Sequence, residues 1–155
     1  MGKINLSRVI LGGIVAGIVI DVFEGILNGA ILASQWAEVL AGLGKGGTMS
    51  VKQIAAFNVW GLAVGILTVG LYAAIRPRFG SGPRTGVLAG LAVWALAFAM
   101  GDATPVFLHI FPVGTMATSL VVEAVGMAIA GVAGAAVYKE SAAEAMAARV
   151  AGAGY

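Results

Sequence analysis

The chain has 155 residues, of which 60% are hydrophobic and 10% are charged, and its mean hydropathy is +1.00. Soluble domains carry charge on about a quarter of their residues, so this composition excludes an ordinary soluble protein and indicates an integral membrane protein. The formal net charge of +2 gives no support for nucleic-acid binding, and the absence of cysteine excludes a disulfide framework, a zinc–thiolate site and a catalytic thiol.

The first predicted span, residues 9–33, carries Asp21, Glu24 and Asn28 inside an otherwise apolar helix. Its 25 residues reach roughly 37 Å, more than the roughly 30 Å hydrocarbon core of a bilayer. An acidic residue at the centre of a span costs about 3 kcal/mol and usually faces protein or water. Because the three polar side chains share a narrow helical face with Gly13, we expect this face to point into a helix bundle.

The second predicted span covers residues 53–75, where Asn58 begins a stripe of small and polar side chains along one helical face. This stripe should pack on another span. Asn58 serves there either in a polar site or as a hydrogen-bonding residue that only holds two helices together. Before this span, residues 35–43 are predicted to form a short interfacial helix, with Trp36 as an anchor in the membrane interface.

The connection between the second and third spans is short and basic, because it contains Arg76, Arg78 and Arg84 with two prolines and two glycines. Arginines beside two membrane exits are what the positive-inside rule predicts. The alternative is that the same three side chains face lipid headgroups or bind phosphate.

The third span is predicted over residues 85–101, which is short for a full crossing. Pro105, preceded by a threonine, has the features of the first residue of a new helix. The chain therefore either kinks at Pro105 and continues to residue 111, or forms a short interfacial helix over 105–111. Asp102 and His109 lie in this segment, near the predicted outer end of the bundle.

The fourth span, residues 114–138, contains Glu123 on a further face of small and polar residues. Residues 1–138 are thus predicted to form one all-α, four-helix transmembrane domain, followed by an Ala-rich tail over 139–155. Seven Lys and Arg residues lie on the side of both termini, against two on the other side. By the positive-inside rule, the protein is expected in the cytoplasmic (inner) membrane with both termini and the tail in the cytoplasm.

Comparing depths across the predicted spans brings the polar residues into one region. Glu24 and Glu123 each lie nine residues from the outer end of their span, roughly 13 Å deep, so they can meet across the bundle. Asn28 and Asn58 both lie roughly 8 Å deep and are expected to share hydrogen bonds. The predicted ligand- or proton-binding residues are Asp21, Glu24, Asn28, Asn58 and Glu123, with Asp102 and His109 at the mouth of the site.

No Lys or Arg is predicted at the depth of these acids. Close carboxylates in a low-dielectric site cannot all ionise, so we expect at least one to be protonated at neutral pH, or a cation to be bound. Carboxylates with His109 would suit a divalent metal, but the sequence lacks an H-x-x-H or E-x-x-H spacing. The competing interpretation is that the acids are protonated or amide-paired and only hold the helices together.

The stretch LYAAIRPRFGSGPRT, residues 71–85, with a span on either side, resembles a group of small four-span bacterial membrane proteins of uncharacterised function. Those proteins carry a similar RPRFG-and-Pro turn between their second and third spans. The resemblance covers most of residues 5–140 and implies fold and location only. A carboxylate in the first of four spans is also similar to small multidrug-resistance exporters, which have shorter connections and a different first-span motif.

Three functions follow as hypotheses. The first is a small binding or transport unit in which protonation or cation binding at the acids is coupled to a small cationic or neutral ligand. The second is a non-catalytic subunit of a larger membrane complex, with His109 or Asn58 ligating a pigment or haem. An intramembrane enzyme is third, because no known catalytic motif occurs. No cofactor is predicted, and the expected partners are membrane lipids and either further copies of the chain or a larger complex.

Overall fold

The computed structural model describes residues 4–46 and 49–140, and within them every regular element is helical. Four helical segments are long and apolar enough to cross a membrane, namely Leu6–Ile31, Val51–Phe79, Pro83–Phe107 and Val113–Val137. The predicted four-helix transmembrane bundle is therefore confirmed, and the protein is a multi-pass membrane protein. The predicted Ala-rich tail lies outside the described residues from position 141 onward.

The first span is an α-helix, α1 (Leu6–Ile26), that ends in a π-helical turn over Leu27–Ile31. Asn5 caps its first turn by accepting a hydrogen bond from the backbone N–H of Arg8 at 3.2 Å. A second short helix, α2 (Ala33–Gly42), follows directly, where an interfacial helix was predicted. Its side chains are exposed or half-buried, which suits a helix that lies at the edge of the bundle.

The second span, α3 (Val51–Phe79), is longer at both ends than the predicted 53–75. Ser50 and Gln53 form a reciprocal capping box that starts the helix earlier than the apolar pattern indicates. At the other end the helix continues through Pro77 and stops at Gly80, whose φ of 84° favours glycine. The basic connection is therefore mostly helical, and only three residues separate α3 from the next span.

The third span is one continuous helix in which α4 (Pro83–Trp94) passes through a π-helical turn (Ala95–Ala99) into α5 (Met100–Phe107). The separate helix considered for 105–111 does not form. Pro105 lies within the last turn of α5, which ends at Phe107, so it does not start a new helix. The fourth span, α6 (Val113–Val137), closely matches its prediction.

Glycines set how closely the spans pack. On α1, Gly13 and Gly17 meet the backbone of α3 at Gly61 and Gly65, where a Cβ atom added to Gly65 would lie 2.7 Å from the Cα of Gly17. Glycines also mediate the crossing of α4 with α6 and that of α1 with α6. Small residues allow such approaches where no hydrophobic force drives spans together. Around the bundle, α1 packs on α3, α3 on α4, α4 on α6, and α6 on α1.

Both described chain ends meet the α3–α4 turn at one end of the bundle, which we call the basic end. Asn5 donates through its side-chain amide to the carbonyl of Lys139 at 3.4 Å, and Tyr72 and Tyr138 pack edge to face. The backbone N–H of Gly82 donates to the hydroxyl of Tyr72 at 3.2 Å. Basic residues of the described chain that lie at this end are Arg8, Arg76, Arg78, Arg84 and Lys139.

The bundle is tight near the basic end and looser in its far half. The contact between α1 and α3 extends to Asp21, whose carboxylate lies against Gly61. Beyond it, residues 51–60 of α3 are exposed throughout. Gly25 and Gly29 of the first span have no described neighbour at the position of an added Cβ atom. The first and second spans therefore separate in the half where the polar residues lie.

Candidate intramembrane carboxylate site

Glu123 is the buried acid of the bundle. Its side chain is 6% exposed, and its Oε2 atom is fully buried without a hydrogen-bond partner among the described residues. Helical spacing on α6 places it on the same face as Gly126, Ala130 and Gly134, which are also buried. The packing that buries these small residues therefore also buries the carboxylate, although a buried acceptor without a donor costs about 1–3 kcal/mol.

Glu24 of α1 faces Glu123 across a narrow cleft. The cleft is lined by Ile20, Phe23, Glu24, Glu123, Gly126 and Met127, and has no room for a water molecule. The ring of Phe23 lies against Gly126, where an added Cβ would sit 2.9 Å from the ring, so α1 and α6 are held close here. The predicted meeting of Glu24 with Glu123 is therefore present in the geometry.

A chain of hydrogen bonds connects Glu24 to the helix α2. The amide of Asn28 donates to the Glu24 carboxylate at 2.9 Å and to the Glu24 backbone carbonyl at 3.1 Å. The indole N–H of Trp36 in turn donates to the side-chain oxygen of Asn28 at 2.8 Å. Asn28 belongs to the π-helical turn that ends the first span. Such turns are frequent at functional sites because they redirect side chains.

Asp102 is the third acid of this region. It is half-buried on α5 and lies close enough to interact electrostatically with both Glu24 and Glu123. The ion pair found among the described residues does not involve these acids. It lies at the basic end, where Arg76 is 2.7 Å from Glu140. Three carboxyl groups therefore share one region of the helix bundle without a basic partner among the described side chains.

Asp21 lies on the other side of α1, toward α3. Its carboxylate contacts Gly61 so closely that a Cβ at that position would overlap it. Asp21 interacts electrostatically with Glu24 but does not line the cleft with Glu123. Asp21, predicted as one of the binding residues, thus lies at the neighbouring junction of α1 with α3 and not in the cleft.

Asn58 and His109 are not brought to the carboxylates. Asn58 is exposed and donates to the carbonyl of Ile54 at 2.8 Å, so the expected hydrogen bond with Asn28 is not formed. The reason is that α3 has separated from the first span at this height. His109 is exposed in the turn after α5, with a φ of 55°, on a surface depression lined by residues 106, 107 and 109–113.

The three arginines of the α3–α4 connection differ in their surroundings. Arg76 is paired with Glu140 and also lies over the ring of Tyr138, 5.7 Å from its centroid. Arg78 and Arg84 are exposed at the basic end. Contact of these two side chains with lipid headgroups or phosphate stays a prediction.

A metal site does not emerge from this arrangement. Within residues 4–46 and 49–140, no three His, Asp or Glu side chains approach closely enough to hold an ion. Glu24, Glu123 and Asp102 interact through space but do not converge on one point, and His109 lies apart from them. The described residues thus provide no ligand set for a divalent cation.

Sequence reasoning missed the partner of Asn28. Trp36 was interpreted only as an interfacial anchor, yet its indole N–H is the donor that orients the Asn28 amide toward Glu24. Trp36 also packs edge to face on Phe111, with 4.8 Å between ring centroids, so it joins α2 to the turn before α6. The sequence does place Asn28 and Trp36 close together along the chain. This short separation brings the two side chains into contact only if the chain turns tightly after the first span, which the sequence did not indicate.

No known family model, curated protein or solved structure matches the chain. The fold defines the class, a multi-pass helical membrane protein, and a functional proposal rests on the geometry of the carboxylates.

Proposed function

We propose that the protein is a small transport unit that binds a proton at the Glu24–Glu123 pair and couples this proton to movement of a solute across the membrane. The observation that carries the proposal is the position of Glu123 beside Glu24. Glu123 is 6% exposed, and one of its carboxylate oxygens has no hydrogen-bond partner in the part of the chain that the structure describes. Ionisable residues inside spans usually mark ion or proton pathways.

The charges of the site favour a bound proton. An ionised carboxylate without a partner is strongly disfavoured in a low-dielectric interior. Glu24 and Asp102 surround Glu123 with further negative charge and no cation offsets it among the described residues. A proton bound to one member of the pair removes one of these charges without any rearrangement of the helices.

The two glutamates are not equivalent. Glu24 receives a hydrogen bond from Asn28, which stabilises an ionised carboxylate. Glu123, in contrast, has an oxygen to which no described residue donates a hydrogen bond. We therefore assign the proton to Glu123 in the state that the structure represents. The site has the least unpaired charge when Glu123 is neutral and Glu24 is ionised and accepts the hydrogen bond from the Asn28 amide.

The cleft is large enough to admit a proton but too small for larger ligands. The cleft has no room for a water molecule, so a hydrated cation or an organic solute enters only if α1 and α6 move apart. The far half of the bundle offers a route for such a motion, because α1 and α3 already diverge beyond Asp21. The transported solute is thus expected to contact the site in a second, more open conformation.

The proposal extends to orientation. The basic end carries more Lys and Arg than the far end, so we place it in the cytoplasm and the cleft in the outer half of the inner membrane. Both termini are then cytoplasmic. The proton-binding pair would then be reached from the outside in the open conformation.

Labelling with a membrane-soluble carbodiimide tests the protonated carboxyl. The reagent adds to a protonated acid in an apolar setting, and peptide mass spectrometry locates the adduct. The reagent reaches Glu123 only when α1 and α6 move apart, so we expect modification at Glu123 during prolonged incubation and its loss in Glu123→Gln. Glu38→Gln on the exposed face of α2 serves as a matched control without effect. Labelling of Glu38 in place of Glu123 would contradict the assignment.

Transport is tested separately with vesicles. Reconstituted wild-type protein should dissipate an imposed pH gradient faster than the Glu123→Gln variant when a transported solute is present on both sides. Small amines and neutral sugars form the first panel of solutes. Equal rates for both proteins with every solute would argue against transport while leaving proton binding to be judged by the labelling.

A second candidate function is favoured by the exposed start of α3. Residues 51–60 of this helix are exposed throughout and include Asn58, whose polar amide would otherwise face lipid. A subunit of a larger membrane complex would cover this face with a partner helix. Purification in a gentle detergent should then retain the partner, and a chain that purifies alone would count against this function.

A further inference from the structure

The packing of α4 on α6 brings a second tryptophan level with Glu123. The two helices run antiparallel with glycine at the contact, and a Cβ added to Gly90 would overlap the backbone carbonyl of Met127. Moving one turn along α4 from Gly90 leads to Trp94, and one turn back along α6 from Met127 leads to Glu123. Trp94 and Glu123 therefore occupy facing positions at the same depth.

Both side chains hold a buried polar atom without a partner. The indole Nε1 of Trp94 has no acceptor, and Oε2 of Glu123 has no donor, among the described residues. The remaining buried side-chain atom of this kind in residues 4–46 and 49–140 is a guanidinium nitrogen of Arg76, which is satisfied by its ion pair with Glu140 at the basic end. One unused donor and one unused acceptor thus lie level with each other on adjacent helices.

We infer that Trp94 is the hydrogen-bond donor of Glu123, so that its indole N–H binds the Glu123 carboxylate when the proton leaves and releases it when the proton returns. The inference rests on the proposed function and adds a positioning residue to it. A hydrogen bond to an ionised acceptor is roughly twice as strong as one between neutral groups. Pairing is therefore weak while Glu123 is neutral and strong once it is ionised.

The helices are close enough for this contact. Facing helices are about 8–10 Å apart in general, and glycine at the crossing brings them to the lower end of that range. The indole of Trp94 is long and half-buried, and it packs against the hydrophobic core rather than pointing into lipid.

The other charged groups around Glu123 make such a donor necessary. Glu24 approaches from α1 and Asp102 from α5, and both repel an ionised Glu123. The helix α3, described along its whole length, carries its basic residues only near its two ends. Asn28 is a neutral donor that stabilises the carboxylate form of Glu24. Trp94 has the same role for Glu123.

Fluorine NMR of the full chain labelled with 5-fluorotryptophan tests the inference. The chain has three tryptophans, and Trp94→Phe identifies the Trp94 resonance. We expect this resonance to shift with pH over the range in which the infrared carbonyl band of a protonated Glu123 disappears. Trp60, which is 61% exposed, is the matched control and should not shift over this range.

Two variants separate the contribution of Glu123 from that of its neighbour. In Glu123→Gln the amide keeps an acceptor but no longer changes charge, so the Trp94 shift should vanish. In Asp102→Asn the shift should persist. A Trp94 resonance that stays constant while the Glu123 band changes would overturn the inference and leave the proposed function standing, and so would an unchanged shift in Glu123→Gln. Absence of any Glu123 band would overturn both.

Discussion

Replacing Gly65 by alanine tests the contact that holds α1 against α3. The added Cβ would lie 2.7 Å from the Cα of Gly17 and would overlap two further backbone atoms of α1. Carbon atoms in contact prefer about 3.5–4.0 Å, so the helices must separate by about 1 Å. Overpacking of this kind typically costs about 1–3 kcal/mol, and we expect the upper end because the obstacle is backbone that cannot rotate away.

Gly25→Ala is the matched control for this experiment. Gly25 lies on α1, beyond its crossing with α3, and has no described neighbour at the position of an added Cβ. Alanine there should leave stability unchanged or raise it by about 0.5–1 kcal/mol through its helix propensity. Unfolding by titration into a denaturing detergent, followed by helical content, measures both variants. Equal stabilities for Gly65→Ala and Gly25→Ala would refute the close α1–α3 crossing.

Further predictions concern the hydrogen-bonded chain and the basic end. Asn28→Leu removes the acceptor of Trp36, so the Trp36 emission should become more accessible to a water-soluble quencher, while Asn58→Leu should leave it unchanged. If the two variants quench alike, the connection of α2 to the site is not maintained by Asn28. Arg76→Gln breaks the ion pair with Glu140, but both groups are partly exposed, so the loss of stability should stay below about 1 kcal/mol. A loss several times larger would show that the basic end contributes more than a screened ion pair.

Depth comparison along the sequence was enough to bring Glu24 and Glu123 together. Each span is a helix of predictable rise, and the alternation of direction follows from the short connections. Boundary errors of two to four residues, as at α3, did not change which acids face each other. The central pair of the site could therefore be predicted from the sequence, because its position depends only on helix length and topology.

The residues around this pair were less predictable because they depend on local bends. Asn28 belongs to a π-helical turn that directs it to Glu24 and Trp36, and no propensity marks such a turn. Asn58 was expected beside Asn28, but depth alone does not reveal that two helices have separated sideways. The residues next to Pro105 in the sequence suit either the start of a helix or its last turn. Only the packing of the third span decides between these two positions.

Infrared difference spectroscopy of the carboxyl groups tests the central claim most directly. The account predicts that the wild-type protein at neutral pH shows the carbonyl band of a protonated carboxylic acid in an apolar environment. This band should disappear in Glu123→Gln and persist in Glu38→Gln. A wild-type protein without the band, or a band that survives in Glu123→Gln, would contradict proton binding at Glu123.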